Sequence, residues 1–584
     1  MKPRLPTWLR PLGWQRPAQV AAGLVWAIAA ISLLYRLPYG VSHRDEAFYS
    51  AMPYSFLLGN RPYVDELAMH QNAGILVLPF FRVYRAIVGS ADGIILFNRR
   101  LYFAYLAICS IAAYRLVRRI AGPIPASCVG ALVILFAYFN LLALSYNTCG
   151  AFGFFCGIVC TASALLKPRP GWQLFGASLC FLSGVFSYPG YAPALLLYLL
   201  VVVWWLYRNT DRASLHSGLR GLGAGAAVSL AAVASLMLWV GRPNLERLLA
   251  FSRSMGYAPG IFDKLNFVNS GAWPWRWRIL GYWGVFLLVP LGCRLHRYAA
   301  WVLAPLAVAA LEYCYFEGPI VSQPSAATTY LISIPMLAPV CIALNRDWRY
   351  GRFVLELIWL PSVLSMLCIA YSSANGYVSS YLGALGAITA GAVILYALMA
   401  QLAQRNPEQR LAFALVFVAV CGSLILIERH SLYASVYDVT VVLGAHDTRV
   451  RSGPMRGTLS TGPEAARLES IDRDLKSVAG GAKSLTVFDD FATGYLSAPL
   501  RPRTFSQWIV WDIEASYAHT LSKETFGTPD KLPDVVLELT VVQAARQNWE
   551  PYFRGRYTPV IERPEFGYTI LRRKNEASVR HRSR

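Results

Sequence analysis

The stretch Val41-Ser42-His43-Arg44-Asp45-Glu46-Ala47-Phe48-Tyr49-Ser50, VSHRDEAFYS, follows directly on an apolar run at about 18–36. That run is long enough to cross a hydrocarbon core of roughly 30 Å. Two adjacent carboxylates, beside an arginine and a histidine, therefore stand where the chain has just left the lipid. Lys2, Arg4, Arg10 and Arg16 precede the run in the manner of a signal peptide, but its length favours a retained first helix.

Working outward, the 584 residues are 56% hydrophobic and 15% charged, with a mean hydropathy of +0.41. Those values exclude an ordinary soluble domain and indicate a polytopic membrane protein. Lys plus Arg total 54 against 32 Asp plus Glu, a formal charge of +22. Most of that excess lies in short loops between apolar runs, where membrane topology accounts for it, so no nucleic-acid partner is expected. All eleven Cys, from Cys109 to Cys421, fall in or beside apolar segments without a CxxC pair, and they read as small buried residues.

Apolar segments recur at about 18–36, 98–118, 124–144, 148–166, 171–188, 190–207, 219–240, 278–293, 298–316, 326–344, 352–371, 377–401 and 410–428. Each approaches the roughly 20 residues that a spanning helix needs, giving about thirteen transmembrane helices. Basic clusters occupy alternate loops: Arg115, Arg118 and Arg119; Lys167 and Arg169; Arg208, Arg212 and Arg220; Arg294 and Arg297; Arg346, Arg349 and Arg352; Arg405 and Arg410. By the positive-inside rule the N-terminus is cytoplasmic and the C-terminal region lies outside. The segment Asn72–Gly89, NAGILVLPFFRVYRAIVG, is short, contains Pro79 and carries Arg82 and Arg85. Counting it as a span would invert every later loop, so it reads as an amphipathic, juxtamembrane or partly re-entrant helix. The first outer loop then covers about 37–97 and the second about 241–277.

The membrane domain ends near 429, and a soluble α/β domain is expected over 430–575, followed by a basic tail at 576–584. Pro463–Val478, PEAARLESIDRDLKSV, has helical spacing; Ser484–Asp489, SLTVFD, and Asp534–Leu539, DVVLEL, read as buried strands.

No phosphate-binding Gly-rich loop, HExxH or Cys/His cluster is present, which removes the basis for ATP use or a zinc site. The first outer loop concentrates the chemistry: Asp45, Glu46, Asp65 and Glu66 with Arg44, Arg61, His43 and His70. Carboxylates at the membrane face are costly to desolvate unless paired or used, and burial can tune one to accept a proton from a substrate hydroxyl. A second reading stands beside it, in which Asp45 is the N-cap of a following helix and Glu46 sits in its first turn.

These residues carry a resemblance. A first span, a loop opening with Asp45-Glu46, the turn Gly59-Asn60-Arg61-Pro62-Tyr63, an amphipathic helix, about thirteen spans and an outer soluble domain resemble the GT-C superfamily of glycosyltransferases. Within it the likeness is to bacterial lipid A aminoarabinose transferases and protein O-mannosyltransferases. The resemblance implies an all-α polytopic membrane domain followed by a small extracytoplasmic α/β domain. It also implies transfer of a sugar from a polyprenyl-phosphate donor to an acceptor outside a bacterial cytoplasmic membrane, the acceptor being lipid, glycan or protein. Asp45 would match the family's general base, with Glu46 supporting it. Arg44, Arg61, His70, Lys264 and Arg276 are candidates for the leaving phosphate, each also readable as a contact to membrane lipid headgroups. Tyr63, Asp65, Glu66, Asn147, Trp273 and Trp275 are candidates for substrate contact. No cofactor is certain; two adjacent acids could hold a divalent metal with substrate phosphates, yet the sequence supplies no full ligand set.

The chain departs from those relatives in two places. Met69-His70-Gln71-Asn72 stands where a phosphate-binding lysine is common, and Asn147 stands where many members carry a second Asp. Two other classes stay open on sequence grounds: a lipid or polysaccharide transporter, and a non-catalytic scaffold for envelope assembly. Mid-span charge would favour the transporter, and only Glu312 and Glu356 supply it.

Overall fold

The computed structural model describes residues 15–68, 70–137, 141–254, 338–339, 348–373, 375–405, 417, 421–422, 425–426, 429, 443–488, 490–507, 515–539 and 551–574. Ten helices run consecutively through the first part: α1 (Gln15–Arg36), α2 (Asp45–Leu57), α3 (Gln71–Val88), α4 (Ile94–Ile120), α5 (Pro123–Ile134), α6 (Tyr146–Leu165), α7 (Gly171–Ser187), α8 (Ala192–Asn209), α9 (Arg212–Val240) and α10 (Arg242–Ser254). Among the later described residues are α11 (Gly351–Ser372), with one π-wound turn at Leu355–Trp359, and α12 (Leu385–Arg405).

Small residues let α6 and α7 approach closely. Gly150, Gly153 and Gly157 lie along one side of α6; a Cβ on Gly153 would stand 2.6 Å from the Gly184 nitrogen of α7, and one on Gly157 2.5 Å from the Phe181 ring. Apolar helices in lipid gain little from exclusion of water, so close backbone approach at small residues is what holds such a pair. Helices α4, α5 and α1 pack in turn, as do α7 and α9.

Six helices among the described residues are long and apolar enough to cross a membrane: Gln19–Arg36, Ile94–Ile120, Tyr146–Leu165, Pro189–Asn209, Arg212–Val240 and Gly351–Ser372. The count of thirteen is therefore not reproduced. The expected spans near 278–293 and 298–316 lie outside the described residues, and those near 326–344 and 410–428 lie largely outside them. The expected span at 124–144 is instead the twelve-residue α5, which stops at Ile134. Beyond it the 141–145 segment is non-helical and buried, its backbone taken up by protein: Asn98 Oδ1 accepts from Leu144 N–H at 3.2 Å. Irregular backbone at membrane depth is stable where protein supplies such partners, which a hydropathy profile does not register.

Helix α3 takes the amphipathic form. Ala73, Val77 and Phe81 are buried while Phe80, Val83 and Ile87 are exposed, and Gly89, at φ 77°, ends the helix in the left-handed conformation. Helix α3 is not among the six spanning candidates.

The C-terminal domain carries a five-stranded sheet in the order β4-β3-β5-β7-β6. Its strands are β3 (Ser484–Phe488), β4 (Arg501–Pro502), β5 (Val535–Leu539), β6 (Tyr557–Arg563) and β7 (Tyr568–Arg573), and the short pair β1 (Thr448–Arg449) and β2 (Leu459–Ser460) precedes them. β3 lies parallel to β4 and β5, whereas β7 is antiparallel to β5 and β6. The runs SLTVF and VVLEL are almost wholly buried, as strands covered on both faces must be. Helices α13 (Gly462–Val478) and α14 (Ala515–Phe526) belong to the same domain.

The domain is joined to the membrane part by backbone hydrogen bonds. Leu459 N–H donates to the Pro38 carbonyl at 2.7 Å, and the Leu459 carbonyl accepts from Gly40 N–H at 2.9 Å; Gly93 N–H donates to Gly453 and Leu67 N–H to Phe505, each at 2.9 Å. One hydrophobic core runs from Leu33 and Phe48 to Leu468 and Val487. The first long loop is thus a layer between membrane helices and soluble domain.

Candidate active site

Asp45 and Glu46 open α2, and the structure sends them different ways. Successive helical residues point about 100° apart, so only one of the two can face α4. Glu46 does: it is 2% exposed, and its Oε1 and Oε2 accept from Nε and Nη2 of Arg99 at 2.5 and 2.8 Å. The same guanidinium, itself 1% exposed, donates to the carbonyls of Leu37, Tyr39 and Gly40. One side chain thereby ties α4, the end of the first span and the start of α2 together. Its neighbour Asn98 adds a second brace, donating to Ser50 Oγ at 3.1 Å while accepting from Leu144 N–H.

Asp45, half-buried, is the first helical residue and does not cap α2. Arg44 holds the N-cap position, no side chain caps the helix there, and Asp45 N–H donates back to Ser42 Oγ at 3.2 Å. The reading of Asp45 as N-cap is corrected accordingly.

One turn along α2 lies Tyr49, on the same face as Asp45 by helical spacing. Its ring meets Tyr146 at 5.9 Å between centroids; Tyr146 in turn meets His70 at 3.9 Å and Tyr188 at 5.4 Å. This aromatic chain brings the starts of α2, α3 and α6 together with the turn after α7. Asn147 follows Tyr146 in the first turn of α6, whose capping box pairs Ser145 with Thr148. Burial pushes the His70 imidazole down to about 3, so near neutral pH it offers a hydrogen bond and no fixed positive charge.

Hydrogen bonds hold the turn that follows α2. Gly59 and Tyr63 adopt left-handed φ angles of 99° and 61°, the second a strained choice for a tyrosine. Tyr63 N–H donates to Gln71 Oε1 at 2.7 Å, the Tyr63 hydroxyl donates to Asn72 Oδ1, and Asn72 Nδ2 reaches the Phe186 carbonyl at 2.5 Å. The turn is thereby fastened beside α7.

The other candidates face the C-terminal domain. Arg44 Nε pairs with Asp490 at 2.6 Å, and His43 meets Thr493 Oγ1 and Glu464 Oε1, both at 3.2 Å. Asp65 accepts from Arg61 N–H at 2.8 Å and from Arg501 at 2.9 Å. Glu66, 1% exposed, accepts from Ala68 N–H at 2.9 Å, Gln507 N–H at 3.0 Å and Gln507 Nε2 at 3.3 Å. Burial raises its pKa against those hydrogen bonds. Lys264, Arg276, Trp273 and Trp275 lie outside the described residues.

Both oxygens of Glu46 are engaged by Arg99, so Asp45 and Glu46 do not offer a cation two carboxylates. Among the described residues no group of three His, Cys, Asp or Glu side chains could hold a metal. Arg99 and Asn98 were missed in the sequence. The available signal was a polar pair placed inside an apolar segment, which the bilayer tolerates only where the pair has partners.

No protein-family model matches the chain, and no curated protein matches it in sequence. Solved structures do. The apo oligosaccharyltransferase of Archaeoglobus fulgidus is similar at a TM-score of 0.50 and 13% identity, over 95% of this chain and 74% of that one. The same enzyme in complex with Zn and sulfate gives 0.48 and 14%, over 88% and 68%. ArnT from Cupriavidus metallidurans bound to undecaprenyl phosphate gives 0.42 and 14%, over 96% and 98%. At 13% identity the likeness to the oligosaccharyltransferase is one of fold alone, and the six apolar helices of spanning length make the chain a multi-pass membrane protein.

Proposed function

We propose that the chain is a membrane glycosyltransferase that moves a sugar from a polyprenyl-phosphate donor to an extracytoplasmic lipid, glycan or protein acceptor. It works in a bacterial cytoplasmic membrane, with the N-terminus cytoplasmic and the C-terminal domain outside. The observation that carries this reading is the start of α2: Arg99 holds Glu46, and Asp45, the residue before it, lies one helical turn from Tyr49, whose ring meets Tyr146 and through it His70.

Asp45 accepts the proton of the acceptor hydroxyl as its oxygen attacks the anomeric carbon. The bond from that carbon to the phosphate oxygen breaks with inversion, and polyprenyl phosphate departs with the bonding pair. Glu46 and Arg99 act as positioning residues that fix the helix start, and so the aim of Asp45. The neighbouring fold supports the donor class, since the solved ArnT structure holds undecaprenyl phosphate. Arg44 and Arg61 are already paired with Asp490 and Asp65, which shifts the departing phosphate towards His70 as hydrogen-bond donor and towards Lys264 and Arg276 as charges. Tyr63, Asn147, Trp273 and Trp275 serve as sugar contacts, whereas Asp65 and Glu66 hold the loop to the C-terminal domain.

The test is release of free polyprenyl phosphate from a panel of polyprenyl-phosphate sugars, with envelope extract as acceptor. Loss of a general base lowers turnover about 10²–10⁴-fold, so Asp45→Asn should fold normally and lose acceptor-dependent release by that factor. Release at the wild-type rate would remove Asp45 from the chemistry; no release by either protein from any donor would remove the transferase reading.

A further inference from the structure

A cleft of about 220 Å³ lies between the C-terminal domain and the loop that follows α2, with Asp65, Arg247, Arg501, Arg503, Glu524 and Lys531 in its walls. It is smaller than the roughly 300–1,000 Å³ of a pocket for a drug-sized ligand, so it suits one charged group of a larger molecule. Its charges do not cancel. Arg501 pairs with Asp65 at 2.9 Å and Arg247 with Glu524 at 3.1 Å, while Arg503 and Lys531 have no carboxylate partner among the described residues. Both are held by neutral carbonyls instead: Arg503 Nε and Nη2 donate to Lys531 and Asp530 at 3.0 Å, and Lys531 Nζ donates to Glu524 at 2.9 Å. The Asp530 carboxylate is not in the wall; it bonds the Thr528 side chain and its own backbone, and acts on Lys531 and Arg503 through space. Carbonyl anchoring orients the two cations without neutralising them, which lowers the ordering cost of binding an anion.

The place of the cleft says which anion. Arg501 donates to Asn60, just beyond the end of α2, at 2.6 Å, whereas Asp45 begins α2. At 1.5 Å per residue the thirteen residues of that helix separate the two by on the order of 20 Å. The donor phosphate is bonded to the carbon under attack and must lie within a few ångströms of the acceptor hydroxyl, so it cannot occupy this cleft. We propose that the cleft binds a phosphate or carboxylate group of the acceptor, which is therefore an extended anionic molecule glycosylated about 20 Å from that group. This rests on the transferase reading above.

The probe is inorganic pyrophosphate at constant ionic strength, titrated against the thermal unfolding midpoint of the full-length protein in phosphatidylcholine nanodiscs. Wild type and Asp45→Asn should be stabilised saturably with the same half-saturating concentration. In R503Q/K531Q that concentration should rise at least tenfold, and in the exposed single variant Lys531→Gln about threefold, which keeps the test open should the double variant fold poorly. Equal half-saturation in wild type and Lys531→Gln, or no saturable response, would overturn the site. A second arm uses phosphatidylglycerol nanodiscs: an unchanged pyrophosphate response supports an acceptor group, and a response abolished in wild type would assign the cleft to bilayer headgroups. Failure of the transferase reading shows differently, as absent polyprenyl phosphate release with pyrophosphate saturation intact.

Discussion

The start and the middle of the first long loop each bury a glutamate and satisfy it by opposite means. At the start, Glu46 is answered by the full charge of Arg99, reaching from the membrane helix α4. Midway along, Glu66 is answered by neutral donors, the amides of Ala68 and Gln507 and the side chains of Ser506 and Gln507. A buried ion pair is tightly coupled: removing one partner strands the other's charge in a low dielectric. Neutral donors leave the carboxylate to bear its own desolvation. The start of the loop is therefore fixed, while its middle, against the C-terminal domain, is sensitive to its surroundings.

The sharpest way to break that contrast is Arg99→Ala, which leaves Glu46 buried without its counter-charge. It should cost about 3–5 kcal/mol, read as the loss in unfolding free energy in detergent. A loss below about 1 kcal/mol would mean that the pair is not the anchor described. Glu66→Gln is smaller. An amide is close to isosteric with the protonated carboxyl, so at acid pH the two proteins should differ by about 1 kcal/mol or less. The Glu66 pKa is raised on folding, so its contribution is full below the unfolded value of about 4.3 and falls as pH rises through the raised value. The stability of wild type relative to Glu66→Gln should thus decline as pH rises, and a constant difference would contradict the assignment.

The smallest effect is expected at Glu464, in α13, which meets His43 at the same interface. Burial opposes its ionisation, but the hydrogen bond and charge of His43 and the charge of Arg467 outweigh it, and its pKa is lowered. For a lowered carboxyl the contribution is present above the unfolded value and lost as pH falls through the folded one. Glu464→Gln should therefore cost about 0.5 kcal/mol near neutrality and nothing in strong acid, measured as the shift in thermal midpoint across pH.

Much of the frame was legible in the chain itself. The amphipathic helix expected at Asn72–Gly89 is Gln71–Val88, the helix expected at Pro463–Val478 is Gly462–Val478, and the two buried strands lie where their apolar runs placed them. The 124–144 run was misjudged because hydropathy counts apolar side chains and is blind to where backbone finds its partners. The site was legible only in part. Asp45 and Glu46 read as one acidic pair, and Arg61, Arg44 and His70 as a pool of positive charge. The structure pairs the two arginines with carboxylates and packs His70 against Tyr146.

What the sequence by itself determined is everything that depends on neighbours along the chain: apolar runs of bilayer length, the helical and strand periods, and two acids at the exit of the first span. Only the tertiary structure decided that Glu46 is the acid anchored in the protein, because the deciding group, Arg99, lies 53 residues beyond it. It likewise decided that a turn after α2 and a strand more than 400 residues later meet through Asn60 and Arg501. Pairings of that kind depend on how the helices and the sheet pack, and no local pattern of residue types encodes them.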